Sequence, residues 1–198
     1  MNAFQYVLSF RAGHAILSAM DRRFFTGGML AAMLARPAQA DPMMIADFST
    51  PDIAENWRFF TDQVMGGVST GRAEIADGAL TLSGRVSTQN NGGFIQARSD
   101  RIAMTPDVTR LRLSVRGDGQ RYFIHLRTRA TRLPWQYYQA GFIAPADWTD
   151  IILSLSDFEP SGRLLPATPA PEHIRSVALV AFGRDHEARV SMRRIHAE

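Results

Sequence analysis

The feature that most constrains this chain is a two-residue alternation running from Arg110 to Thr128. Leu111, Leu113 and Val115 fall on one side, and Arg110, Arg112, Ser114 and Arg116 on the other. Tyr122, Ile124 and Leu126 then alternate with Phe123, His125 and Arg127. Successive strand side chains point to opposite faces, so the pattern describes half-buried strands and not helix. Residues 43–48, 79–83, 93–98, 136–143, 150–155, 176–182 and 188–195 read as strands in the same way. Roughly ten short strands divided by Gly, Pro, Asn and Asp clusters predict an all-β sandwich or barrel. The one helical candidate beyond residue 41 is 52–60, with Thr50 or Asp52 as its cap and Pro51 near its start. Arg116-Gly117-Asp118-Gly119-Gln120 predicts a hairpin turn, and the three-proline stretch 164–171 a surface loop.

Composition narrows the function classes. A length of 198 residues with 45% hydrophobic and 21% charged residues suits one domain with a core and argues against wholesale disorder. The absence of cysteine removes disulfides, thiolate metal sites and cysteine nucleophiles. The net charge of +3 resides in residues 1–40, which hold Arg11, Arg22, Arg23 and Arg36 against Asp21. The rest of the chain balances 18 Arg against 18 Asp and Glu, so nothing in its charge calls for nucleic acid.

The N-terminal segment reads as an address. From Met20, the pair Arg22-Arg23 precedes Phe24-Phe25, a short apolar stretch over 27–35, and Ala38-Gln39-Ala40. This order is that of a secretory signal, and the paired arginines resemble a twin-arginine export signal. The reading predicts cleavage after Ala40, a single domain over 41–198 and a periplasmic location. The mature chain would not span a membrane, because the apolar stretch is too short. Met20 competes with Met1 as the start of the protein.

Two glycine-rich segments stand out. The first runs Asp62-Gln63-Val64-Met65-Gly66-Gly67-Val68-Ser69. The second runs Gly84-Arg85-Val86-Ser87-Thr88-Gln89-Asn90-Asn91-Gly92-Gly93-Phe94 and ends at Arg98. Together they resemble the complex I intermediate-associated protein family. Later segments agree in order: Tyr122–Thr128, the aromatic stretch 135–142, and Trp148 to Phe158. The resemblance covers about residues 45–196. It implies a galactose-binding-like β-sandwich of jelly-roll type and a non-catalytic, chaperone-like assembly factor without a cofactor. In mitochondria that family serves assembly of the membrane arm of complex I from the matrix side. An exported member would sit on the opposite face, so a client in the cell envelope fits better.

The motif residues admit two readings. In the structural one, Gly66, Gly67, Gly92 and Gly93 supply tight turns or close approach, while Met65 and Phe94 plug the core beside them. In the functional one, Asp62, Ser69, Asn91 and Arg98 form a polar cluster, joined by Arg127, which shares a strand face with His125. Trp135, Tyr137 and Tyr138 are then available to stack on a sugar or anchor a protein partner. Trp57, Trp135 and Trp148 fit the core equally. Catalytic signatures are weak: no H-x-x-x-H pair, nucleophile elbow or phosphate-binding loop is present. Paired carboxylates would need only spatial closeness, which sequence does not reveal. The expected partner is a protein in the envelope or an assembly intermediate, with a glycan as the alternative.

Overall fold

The computed structural model describes residues 42–198, so the export-signal reading over 1–40 lies outside the described residues. Twelve strands occur in that span: β1 (Met43–Asp47), β2 (Trp57–Thr61), β3 (Thr70–Ala76), β4 (Ala79–Val86), β5 (Phe94–Ser99), β6 (Arg110–Gly117), β7 (Arg121–Thr128), β8 (Tyr138–Ile143), β9 (Thr149–Ser154), β10 (Glu159–Pro160), β11 (Ile174–Phe182) and β12 (His186–Ala197). All pairings are antiparallel. Sheet A has the order β3-β4-β12-β6-β9, with β1 on the far part of β12; sheet B has the order β10-β8-β7-β11-β5-β2.

The alternation read from the sequence sets what each sheet buries. Leu111, Leu113 and Val115 of sheet A are fully buried, as are Tyr122, Ile124 and Leu126 of sheet B. Each large apolar side chain taken fully from water contributes about 1.5–3 kcal/mol. Because the side-chain period is two, this burial fixes strand register, which shifts only at Ile45, Arg175 and Arg193 among the described residues. The central strand β11 carries the near-continuous apolar run Val177 to Ala181 and is covered on both faces.

Three elements depart from the sequence reading. The segment 52–60 is not one helix: a 3-10 turn occupies Pro51–Asn56, and Trp57–Thr61 is strand. Trp57 packs edge-on against Phe48 at 5.1 Å and Phe59 opposes Ala97, so burying alternate aromatics outweighs helix formation. The Asp118-Gly119 turn is no hairpin, because β6 and β7 belong to different sheets. Asp118 instead anchors a crossover, accepting hydrogen bonds from Tyr122 Oη at 2.8 Å and Arg189 N at 3.2 Å. The two-residue hairpin falls at Asp77-Gly78, between β3 and β4, where both residues have positive φ. Positive φ at both central positions is what such a turn requires.

Glu198 closes one edge. Its carbonyl accepts from Thr109 N and Arg110 N, and its side-chain carboxylate from Arg112 Nε at 2.6 Å and Arg110 Nε at 2.7 Å. The hydrogen bonds from Arg112, with those from Arg110 and both positive charges, outweigh the burial penalty and bring its pKa from 4.5 to about 2. A carboxylate with a depressed folded pKa adds stability that is present above the unfolded value and lost as pH falls through the folded one. Glu198→Gln should therefore melt earlier at neutral pH and lose less stability than wild type between pH 4.5 and about 2. Equal acid limbs in thermal melts of the two proteins would contradict this role.

Candidate functional site

The two glycine-rich motifs meet at one buried carboxylate. Asp62 opens a 3-10 turn that follows β2, and it is completely buried. Its Oδ1 accepts from Ser69 N at 2.9 Å. Its Oδ2 accepts from Ser69 Oγ, from Gly93 N at 2.6 Å and from Phe94 N at 3.3 Å. Burial pushes the Asp62 pKa up, but the donors from Gly93, Ser69 and Phe94 outweigh it and leave the group below the ordinary carboxylate range. Removing such an ion from water costs several kcal/mol. Four hydrogen bonds to a charged acceptor, at about 1.5–3 kcal/mol each, offset that cost. Ser69 Oγ is also bound by Ser87 N at 3.0 Å, which extends the network to the end of β4.

The glycines follow from this packing. A Cβ on Gly67 would lie 2.3 Å from Asp62 Cγ, and one on Gly92 would lie 2.4 Å from Asp62 Oδ2. Neither has positive φ, so the requirement is space. Gly66 (φ 89°) and Gly93 (φ 123°) are the conformational members of the two pairs. Asn91 is exposed in the left-handed region, and its neighbour Asn90 donates to Gly66 O at 3.3 Å.

Met65 does not plug the core. Val64 and Met65 are 74% and 62% exposed, because Asp62 takes the inward position at this end of the sandwich and the turn carries them outward. Phe94 is not a core plug either: Ile95 sets the inward phase of β5, so Phe94 lies on the outer face opposite Phe182. Tyr138 is likewise interior. It pairs with buried Leu126 and is 1% exposed, which makes it a core residue and turns its neighbour Tyr137 outward.

Arg98 and Arg127 come together elsewhere, on the outer face of sheet B. Asp62 and Arg98 thus belong to separate places, about 13 Å apart along β5 at the usual strand rise from Phe94. One row of facing residues crosses the whole sheet: Arg58, Arg98, Ala178, His125, Gln139 and Glu159. Asp100 lies 2.9 Å from both Arg58 Nη2 and Arg98 Nε, and its Oδ2 accepts hydrogen bonds from Arg58 Nη2 and, at 3.2 Å, from Arg98 Nη2. Arg98 also covers the Phe60 ring at 4.5 Å. Arg127 donates to Leu133 O at 2.9 Å and Pro134 O at 3.1 Å, pinning the loop that precedes β8.

Aromatic rings stand beside these arginines. His125 and Tyr137 stack in parallel at 4.1 Å, and Phe182 meets both edge-on at 5.6 and 6.2 Å. Burial brings the His125 pKa down from 6.5 to about 3, with Gln139 working weakly the other way, so the imidazole is neutral at physiological pH. Of the tryptophans, Trp57 is core. Trp148 is half-buried beneath Arg193 and Arg116, and Trp135 is 64% exposed at a loop tip. Gln96, Gln139 and Ser176 also belong to this face. Their signal in the sequence was only strand phase, which cannot be assigned to a face until the sheet order is known.

The profile of complex I intermediate-associated protein 30 matches residues 46–190, most of the chain. The chain belongs to that family. Nothing among the curated proteins matches it. Solved structures similar to this family member include the family 11 carbohydrate-binding module from Clostridium thermocellum in complex with a β-1,3-1,4-mixed-linked tetrasaccharide. The identity is 13% and the TM-score 0.62, covering 79% of this chain and 94% of that one. The same module of the cellulosomal cellulase Lic26A-Cel5E gives 12% identity and a TM-score of 0.61, covering 81% and 95%. The agarase AgWH50C gives 12% and 0.55, covering 79% of this chain and 24% of that one. At such identities the likeness establishes the jelly-roll fold alone.

Two substitutions probe the carboxylate node. Asp62→Ala strands three buried donors and should cost at least about 3 kcal/mol. Gly92→Ala, at a half-exposed turn position, should cost about 1–3 kcal/mol through overpacking alone. Urea denaturation of the two variants checks both values; wild-type midpoints would show that the node does not hold this end together.

Proposed function

We propose that this protein is a non-catalytic binding module that presents the outer face of sheet B to a protein partner in an assembly intermediate. The observation that carries the reading is the division of labour between its two polar groups. Asp62, the only fully buried carboxylate among the described residues, is committed to backbone and serine donors, so it serves architecture and not acid–base chemistry. Arginines, amides and aromatic rings are gathered instead on one sheet face. Arginine and large aromatics are the side chains that dominate protein recognition surfaces. Membership of an assembly-factor family supports this role. The twin-arginine-like segment before residue 41 supports a client in the cell envelope, on the periplasmic side.

A second reading is favoured by a specific observation. The stacked Tyr137–His125 pair beside Gln139 and Gln96 is a surface of rings and amides suited to sugars, and the fold is that of carbohydrate-binding modules. In-cell crosslinking followed by pull-down separates the two readings. Wild type should retain a discrete protein that a folded Gln96→Ala, Arg98→Ala, Gln139→Ala variant loses. A protein retained equally by both would place its contact off this face. Retention of a glycan and no protein would leave the second reading in its place.

A further inference from the structure

Two neighbouring loops at the β8–β10 edge of sheet B each expose a leucine that directly follows an arginine. The first runs Arg132-Leu133-Pro134-Trp135 and leads into β8; the second runs Arg163-Leu164-Leu165-Pro166 and follows β10. Leu164 is 88% exposed, more than any other large apolar side chain among the described residues, and Trp135 and Leu133 are 64% and 39% exposed. Ser161 ties the two loops together: its Oγ donates to Trp135 O at 3.1 Å and accepts from Tyr137 N at 3.0 Å.

Both tips are held in shape from beneath. Gln136 is buried, and its Oε1 accepts from Arg132 N at 2.8 Å and Leu133 N at 3.0 Å, which closes the first loop into a turn. Arg127 grips the same loop through Leu133 O and Pro134 O. In the second loop Leu165 takes the core position, and its N donates to Gly162 O at 3.2 Å, which leaves Leu164 in solvent. Turns fixed in this way have little freedom left to lose on binding. Arg132 and Arg163 are exposed, and among the described residues neither lies within ion-pairing distance of a carboxylate. The exposed Val64-Met65 turn, by contrast, contains no arginine.

We infer that these two loop tips dock the protein on the surface of an anionic lipid bilayer. Trp135, Leu133 and Leu164 enter the boundary between headgroups and acyl chains, and Arg132 and Arg163 meet the anionic headgroups. Tryptophan suits that boundary, since its ring is apolar with one polar edge. Apolar area and basic charge act together in such binding. A protein hot spot instead seats its anchors in a packed, water-excluded centre ringed by near-neutral contacts. Here the apolar side chains are tips on separate turns, and a cation stands next to each leucine in the chain. Docking of this kind holds sheet B beside a membrane and depends on neither reading of what the face of that sheet binds.

Flotation of the whole protein with vesicles tests it. The vesicles are phosphatidylcholine alone, or phosphatidylcholine and phosphatidylglycerol in equal parts. Wild type should bind the mixed vesicles about tenfold or more tightly than the neutral ones, and added salt should weaken that binding. Leu164→Asp should weaken it about tenfold, and Arg132→Gln combined with Arg163→Gln about as much. These variants change exposed loop side chains only, and thermal melts check that they fold. Trp57, Trp135 and Trp148 are the tryptophans of the chain, so brominated acyl chains locate the contact. They should quench wild-type fluorescence on the mixed vesicles, and Trp135→Phe should lose most of that quenching. Full vesicle binding by folded Leu164→Asp, or full quenching in Trp135→Phe, would place the contact elsewhere on the chain and overturn the inference. Equal binding to neutral and anionic vesicles would overturn the anionic-lipid assignment. Binding to neither vesicle would overturn the inference outright, and a discrete protein adduct from a diazirine at position 164 would in that case make the tips a protein contact.

Discussion

One carboxylate holds the end of this sandwich together. Asp62 leaves β2, accepts from the first residues of β5 and draws in Ser69, which reaches the end of β4. Strands of both sheets are thus joined at a single buried anion. A charge in that position is tolerable only if donors surround it closely, and they can do so only if Gly67 and Gly92 carry no side chains. The composition of both glycine-rich motifs follows from that requirement, as does the outward turn of Val64 and Met65.

With the ends so fixed, sheet B is free to carry polar groups on its outer face. Its central strand is small there: Ser176 and Ala178 lie between longer side chains from β5 and β7. The outcome is a low strip bordered by two arginines and a histidine, with a tyrosine stacked on the histidine. The outer face of sheet A carries ion pairs of its own. Arg194 pairs with Asp47, and Arg110 and Arg112 with Glu198.

Much of the fold was legible from period-two patterning, because burial of one face per strand imposes it. Residues 110–128 were assigned residue by residue on that basis. The pattern failed where local signals admit two outcomes. Asp52 to Phe60 contains a helix start and a strand in succession, and only pairing with β5 decides where one ends. Asp118-Gly119 and Asp77-Gly78 are the same dipeptide, yet one crosses between sheets and the other joins neighbours in one sheet. The candidate site was half legible. His125 and Arg127 do share the outer face of β7. Arg98 lies on that same outer face, with Ala178 of β11 between it and His125, while Asp62 and Ser69 turned inward and Tyr138 yielded its place to Tyr137. Those differences are matters of strand phase and sheet order, which non-local pairing alone sets.

The central claim is that recognition belongs to the outer face of sheet B and not to the motif loops or to sheet A. Site-specific photo-crosslinking in living cells tests it most directly, with a diazirine side chain that inserts into protein and sugar alike. One probe replaces Gln96, on the outer face of β5, and the other replaces Arg72, on the outer face of β3. The account predicts a discrete adduct from position 96 and none from position 72. Adducts from position 72 with none from position 96 would contradict it.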